Sequence, residues 1–546
     1  MSRVLTTAQV VVDCLIEQGV DTVFGIPGVH TYHLFDALYE RRDRIRFIGA
    51  RHEQGAAYMA YGYAQSTSKV GVYTCVPGPG VLNTGAALAT AYSAHAPVLC
   101  LTSEIPTTEI GRGHGILHEL PDQLGLLRGL TKWSERIDHP TVARALTLQA
   151  FAHLTQGRVR PVALEIPWDV MGLKALVNTR SPAGVAPAAE VSADPAMIRA
   201  AADIIAAARQ PLISLGAGAV RAGAEIQQLA EWLQAPVTAH RSARGVVPDD
   251  SDYALSHAAG YRYWGNTDVL IAIGTRMELQ YFRWKAFPKG LKIVRIDIDP
   301  QEMARRRADV GIVCDAAVGV RALLQELRER APAAGARADR RAELAELRAQ
   351  TRRDIESVQP QVAYLDVMRK VLPREGFFVE EISQVGFTAR FAFPVYSPRS
   401  YVSGGYQENL GFGFMTALGV KAAFPDRPVL SITGDGGFMF GVQELATAVQ
   451  FRLPVTTIVF NNQSFGNVVR DQKIGFGGRY LGGSLQNPDF VKLAESFGAK
   501  AARVASPAAL EPVLRESLTS DVPSLIEVTV EPGSEASPWP FIRPNN

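Results

Sequence analysis

The segment Gly434-Asp435-Gly436-Gly437, with Asn462 27 residues after its aspartate, limits this chain more than any other feature. Pro428-Val429-Leu430-Ser431-Ile432-Thr433 is an apolar, β-prone run that ends on the glycines. Pro454-Val455-Thr456-Thr457-Ile458-Val459-Phe460 is a second such run, ending on Asn461-Asn462. Val442 to Val449 between them reads as a helix. A strand, a crossover helix and a strand form a right-handed unit with parallel strands. The two motifs then sit side by side at the carboxyl rim, where open α/β sheets bind ligands. One carboxylate, one amide oxygen and glycine-exposed amides suit a hard cation carrying phosphates, since Mg²⁺ takes few oxygens from protein and the rest from phosphate and water. A lone Gly-Asp-Gly would read more simply as a turn with a helix-capping Asp; the paired Asn at this spacing changes that balance.

The 546 residues suffice for three or four domains. A net charge of +2 gives no electrostatic case for nucleic acid. No apolar run approaches the ~20 residues of a membrane span, and Met1-Ser2-Arg3-Val4-Leu5 lacks a signal-peptide pattern. Four scattered cysteines (Cys14, Cys75, Cys100, Cys314) without a CxxC fit a reducing, cytoplasmic setting rather than a disulfide framework or zinc site.

Helices and strands alternate through three blocks, which predicts an α/β fold of three doubly wound parallel-sheet domains over 1–175, 190–335 and 360–535. Residues 172–195 read as a linker, rich in Ala, Pro and Ser, and 331–358 as a charged surface helix or a linker. The first and third blocks are candidates for a diverged duplication.

Further segments carry candidate chemistry. In Arg51-His52-Glu53-Gln54-Gly55-Ala56, Glu53 falls at a strand-to-helix junction, where a carboxylate is favoured by the helix dipole whether or not it acts. Phe24-Gly25-Ile26-Pro27-Gly28-Val29-His30 is a strand running into a glycine turn, with His33 beyond it on a helix. Gly111-Arg112-Gly113-His114 through His118-Glu119 is a glycine-rich loop with two histidines, whose pKa suits proton transfer near neutrality. Leu410 precedes Gly411-Phe412-Gly413 and is equally readable as a core leucine at a helix start.

Together these motifs resemble thiamine diphosphate (ThDP) enzymes of the acetolactate synthase and 2-oxo acid decarboxylase type, over essentially the whole chain and in family order. Ile26-Pro27-Gly28-Val29-His30 with Leu117-His118-Glu119-Leu120-Pro121 looks most like the 5-guanidino-2-oxopentanoate decarboxylase group. The resemblance implies ThDP and Mg²⁺ between a pyrimidine-binding first domain and a diphosphate-binding third domain, with a Rossmann-like domain between. Asp435, Asn462 and the Ser464 carbonyl would hold the metal. Gly434, Gly436, Gly437 and Gly466 would face the diphosphate, and Pro27, Gly28 and Leu410 the rings, Leu410 holding them bent. Glu53 would bond the aminopyrimidine and activate the cofactor, and His30 and His118 would serve proton transfer. The activity implied is cleavage or formation of the C–C bond next to a carbonyl, by 2-oxo acid decarboxylation or carboligation through a ThDP enamine. An aldehyde or second 2-oxo acid would be the acceptor. A homodimer or homotetramer is implied, because Glu53 and the diphosphate site come from different subunits.

Two departures bear on this. Asp471 stands where synthases carry a tryptophan that selects the second 2-oxo acid; it suits a cationic acceptor or a surface ion pair with Arg470 or Lys473. Gly274-Thr275-Arg276-Met277-Glu278 only roughly matches a flavin-contacting motif, while Gly216-Ala217-Gly218 and Asp297/Asp299 are weak dinucleotide signals. FAD is therefore not favoured but stays open. An FAD-containing synthase-like enzyme or 2-oxo acid oxidase is one alternative, and an inactive regulatory paralogue another.

Overall fold

The computed structural model describes residues 2–179, 191–330 and 337–544. Its framework is three six-stranded sheets, every neighbouring pair within them parallel. Strands such as Val98–Glu104 and Val162–Pro167 are buried along their whole length, as parallel sheets covered by helices on both faces require. This is the doubly wound α/β class expected.

With strands numbered in chain order inside each sheet, the first and third sheets share the order 2-1-3-4-6-5, and the middle one runs 3-2-1-4-5-6. The shared order is what a duplication of the first block into the third would leave. In both of these sheets the order reverses between strands 1 and 3, and the crevice at such a switch point is where doubly wound sheets bind ligands. In the first sheet those strands are Thr22–Gly25 and Gly71–Cys75, which feed the 26–31 and 76–80 turns. In the third they are Phe377–Val379 and Val429–Gly434, which feed residues 380–384 and the Gly-Asp-Gly-Gly turn.

The first and third units share one hydrophobic core, built on helices Glu53–Thr67 and Phe412–Ala423 with Tyr58, Met59, Phe412 and Met415 inside. The helices meet backbone to backbone. A Cβ on Gly62 would lie 2.0 Å from the Thr416 carbonyl oxygen, and one on Gly419 would lie 1.9 Å from that of Met59. Any side chain at either position would force the helices apart. Glu53 thus begins a helix whose body is anchored on the third domain.

Some local expectations change. Lys174–Asn178, inside the stretch read as linker, is a strand paired antiparallel with Ser2–Thr6. Its strand partner is the chain's N-terminal segment, which no local pattern announces. Residues 180–190 of that stretch lie outside the described residues. Within 331–358, Arg341–Ile355 is a helix, and 331–336 lie outside the described residues. No helix among the described residues is long and apolar enough to cross a membrane.

Candidate active site

The parallel pairing inferred from the Gly-Asp-Gly-Gly and Asn-Asn motifs holds, with Leu430 to Gly434 in register with Thr456 to Phe460. Gly434 ends its strand and Asp435 opens the short helix Asp435–Phe438. Asp435 is buried, and its Oδ2 accepts from Asn487 Nδ2 at 2.7 Å. The glycines are needed for space: a Cβ on Gly436 would sit 2.4 Å from the Phe465 ring, and one on Gly437 2.3 Å from Glu381 Oε1.

Asn462 follows the neighbouring strand. Its Nδ2 donates to Glu535 Oε2 at 2.8 Å, and its Oδ1 accepts from the Ser464 N–H at 3.1 Å and hydroxyl at 3.0 Å. Gly466 opens the next helix against Asn462, where a Cβ would press within 2.9 Å of the amide nitrogen. Burial pushes the Asp435 carboxyl up, against the Asn487 amide and backbone N–H groups. Burial also raises Glu535, opposed by Asn462 and reinforced by the charge of Asp435. Among the described residues neither carboxylate has a basic partner within 4.0 Å. Two desolvated carboxylates without a counter-charge, beside an amide oxygen, form a donor set that fits a divalent cation.

The residues around Glu53 converge from three turns of the first domain. His52 caps the helix that Glu53 begins, its side chain accepting from Gln54 N. Asn83 Nδ2 donates to Glu53 Oε2 at 2.9 Å. Gly80, in the Pro77-Gly78-Pro79-Gly80 turn, lies so that a Cβ would be 3.7 Å from Glu53 Cγ. Gly78, at φ +62°, leaves no room for a side chain, because the His118 carbonyl oxygen would be 2.5 Å away. In the adjacent turn Pro27 is exposed, and Gly28 packs on Val76 and is tied to the Thr31 hydroxyl in both directions.

The structure brings His30 and His118 together, with ring centroids 5.0 Å apart. The Nδ1 of each is buried without a hydrogen-bond partner among the described residues. Burial holds the His30 imidazole below its usual range; the His118 charge acts the same way, and a hydrogen bond to the Leu117 backbone opposes it. His118 sits at φ +71° in a loop that Glu119 orders by accepting from the N–H groups of Gly113, Gly115 and Ile116. The other two histidines lie elsewhere. His33 is exposed on helix Tyr32–Glu40 against Gly172, and His114 pairs with Glu109 at 2.8 Å on the surface.

Leu410 is half-buried just before Gly411, which needs its φ of +83°. Its loop is fastened by Glu381, a residue that sequence reasoning missed. The buried Glu381 carboxylate accepts from the Gly411 and Gly413 N–H groups and abuts Gly437, so it joins the Leu410 loop to the Gly-Asp-Gly-Gly turn. Burial pushes it up to about 7, and those two N–H groups and Thr433 hold it down. A carboxyl raised in the folded state favours the fold below about 4.5, and that contribution is lost as pH rises through about 7. Glu381→Gln should therefore flatten the Tm-versus-pH curve over that window. An unchanged slope would remove Glu381 as the titrating group. Asn83, Asn487 and Glu535 were also missed: each meets the site from a segment distant in sequence, and none carries a motif.

Asp471 is exposed and pairs with Arg470 at 3.0 Å. In the middle domain the switch point holds a cavity of about 70 Å³ lined by His95, Arg158, Gly216, His240 and Thr275, against roughly 300–1,000 Å³ for pockets that hold drug-sized ligands. Arg276 stacks on Tyr406 at 4.3 Å, Glu278 pairs with Arg241 at 3.1 Å, and Asp299 pairs with Arg158 at 2.9 Å while capping the next helix. These contacts do not favour a flavin dinucleotide.

Comparison with known proteins agrees with this geometry. Residues 5–126 match the family model described as thiamine pyrophosphate enzyme, N-terminal TPP binding domain. Residues 198–327 match its central domain, and 381–528 its C-terminal TPP binding domain. The chain is 34% identical over 537 residues to the "Probable 2-ketoarginine decarboxylase AruI" of Pseudomonas aeruginosa, covering 96% of this chain and 94% of that protein. It is 34% identical over 568 residues to the "Probable acetolactate synthase large subunit" of Methanocaldococcus jannaschii, covering 97% and 93%. It is 30% identical over 557 residues to the acetolactate synthase isozyme 3 large subunit of Escherichia coli, covering 98% and 96%. Two switch-point crevices of matching topology, one beside Glu53 and one beside Asp435, thus have the sequence of the domains that bind thiamine pyrophosphate, and the chain belongs to the thiamine pyrophosphate enzyme family.

Proposed function

We propose that this chain is a ThDP- and Mg²⁺-dependent enzyme that decarboxylates a 2-oxo acid, with or without joining the remaining carbon to an acceptor carbonyl. The observation that carries this is the pair of rims just described, Glu53 with its three converging turns and Asp435 with Asn462, inside the matched TPP-binding domains. Bound ThDP supplies the electron sink for the bond that breaks. Asp435, the Asn462 amide oxygen and the Ser464 carbonyl hold Mg²⁺. The amides around Gly434, Gly436, Gly437 and Gly466 accommodate the diphosphate, where a side chain would obstruct it. Glu53, oriented by Asn83, holds or releases one proton at a ring nitrogen. Pro27, Gly28 and Leu410 bound the rings. His30, neutral and desolvated, and His118 beside it move a proton at the substrate carbon. We take 1–175, 190–335 and 360–535 as the three domains.

The site is completed by a second copy of the chain, in a homodimer or a tetramer of two such dimers. Supporting this, both rims expose apolar side chains: Leu82 and Leu117 near Glu53, and Phe440 and Val468 near Asp435. A cytoplasmic location is supported by four buried, unpaired cysteines, the state that a reducing compartment maintains.

The test is carbon dioxide release from pyruvate and from branched, aromatic and guanidino-bearing 2-oxo acids, with ThDP and Mg²⁺ present and then withheld, each with and without an aldehyde. The guanidino acid comes first because a relative's name specifies that class. Cofactor-dependent release from one acid is expected. Silence across the panel with ThDP bound would overturn the decarboxylase reading.

A further inference from the structure

Glu444 lies nine residues beyond Asp435, at the start of helix Glu444–Gln450, and is wholly buried. It has no basic side chain within ion-pair distance among the described residues. Its partners are instead backbone groups of the first domain and one hydroxyl of its own helix. Oε1 accepts from the N–H groups of Arg51 at 3.0 Å and His52 at 2.9 Å, and Oε2 lies 3.1 Å from the same Arg51 nitrogen. The Thr447 hydroxyl, one helical turn on, reaches Glu444 Oε2 at 2.6 Å and the Gly49 carbonyl at 3.3 Å. Farther along the helix, the Gln450 amide oxygen accepts from the Arg51 guanidinium at 2.6 Å. A single helix of the third domain therefore holds residues 49, 51 and 52, the backbone leading into Glu53. Gly55 makes room for it, since a Cβ there would lie 2.4 Å from Glu444 Oε1.

The residue type follows from the donors. Two N–H groups and a hydroxyl converge on one side chain, and only a carboxylate offers acceptors alone on both of its termini. An amide would turn a donor toward one of them. The N–H groups at a helix start have no partner inside the helix, and a negative charge is favoured there by the dipole. Interdomain packing explains why something should cover these groups, but the large apolar contact between helices Glu53–Thr67 and Phe412–Ala423 already joins the two domains. What Glu444 adds is a fixed height and direction for the loop from which Glu53 projects.

We propose that Glu444 is a positioning residue for Glu53, setting the aim of that carboxylate from a helix that begins one turn segment after the Gly-Asp-Gly-Gly helix. This rests on the role given to Glu53 above. Glu444 acts through the Arg51 and His52 amides.

The experiment compares full-length Glu444→Gln, Glu444→Ala and Glu53→Gln. Cofactor-free hydrogen–deuterium exchange over residues 50–54 should speed up in both Glu444 variants. With ThDP and Mg²⁺ bound, exchange of the cofactor's C2 proton for deuterium, read by NMR after acid quench, should slow. The slowing should reach about 10²-fold in Glu444→Ala, the scale on which an ångström of misplacement acts, and be smaller in Glu444→Gln. The loss should fall on kcat, with substrate KM and ThDP affinity by calorimetry little changed. Parental C2 exchange and kcat in both Glu444 variants, beside a Glu53→Gln variant that has lost both, would overturn the role of Glu444 and leave that of Glu53 standing. Full C2 exchange in Glu53→Gln would overturn the underlying reading instead. Weakened ThDP affinity with normal exchange in the bound fraction would make Glu444 a support of the diphosphate side, which also overturns the proposal. If Glu444→Ala does not fold, Glu444→Gln decides.

Discussion

In Glu53→Gln, cofactor-dependent turnover falls by at least two orders of magnitude while ThDP and Mg²⁺ still bind. The substitution preserves shape and the contact with Asn83, and a glutamine at a helix start is well tolerated. The helix body is untouched, because its packing on Phe412–Ala423 begins beyond the first turn. What disappears is a group able to take up and return one proton. Positioned acid–base groups typically contribute about 10²–10⁴-fold, and loss of cofactor activation removes the step on which later chemistry depends. Carbon dioxide release on the best acid of the panel, with calorimetry of ThDP binding on the same sample, checks both halves. Full turnover would remove Glu53 from the mechanism. Lost binding would make it a structural residue of the cofactor pocket.

In Asp435→Ala, Mg²⁺-dependent affinity for ThDP collapses while the fold survives. Asp435 is the one carboxylate among the residues assigned to the metal, and its charge makes the crevice hospitable to a cation carrying phosphates. Loss of a partner one shell out from a metal ligand typically costs about 10–100-fold in affinity, so loss of the ligand itself should exceed that. The fold should hold because Asp435 sits at the end of a strand whose ladder is made by backbone groups, and because removing it relieves the repulsion felt by Glu535. Titration of ThDP at fixed Mg²⁺, with Tm of the cofactor-free protein as the control, gives the answer. Unchanged affinity would refute the ligand assignment.

Much of the fold was legible because it is written in short periods. The strands of the three parallel sheets are short runs of two to seven residues, and such runs alternating with amphipathic helices admit few architectures. The Asp435 and Asn462 motifs could be placed on one rim because a right-handed crossover leaves no other arrangement of adjacent parallel strands. Glu53 at a strand-to-helix junction and the glycine turn at Gly28 were visible for the same reason. The strand Lys174–Asn178 was not, because its partner is Ser2–Thr6 at the far end of the domain, and a pairing with a loop of that length leaves no local periodicity. That Asp471 pairs with Arg470 and not Lys473 became visible only in the structure.

The sequence by itself determined that this chain forms three parallel α/β units and that two of their rims bear a carboxylate and an amide suited to a metal-borne diphosphate and an activated cofactor. Those are properties of consecutive residues, carried by strand ends, turn glycines and spacing. Only the tertiary structure decided that His30 and not His33 faces His118, that Glu381 fastens the Leu410 loop to the Gly-Asp-Gly-Gly turn, and that Glu444 holds the backbone before Glu53 across 392 residues of chain. Each is a single polar side chain satisfying buried backbone or ring groups on another element. Its identity is dictated by donors brought near it through packing, and nothing in its own neighbourhood along the chain announces them.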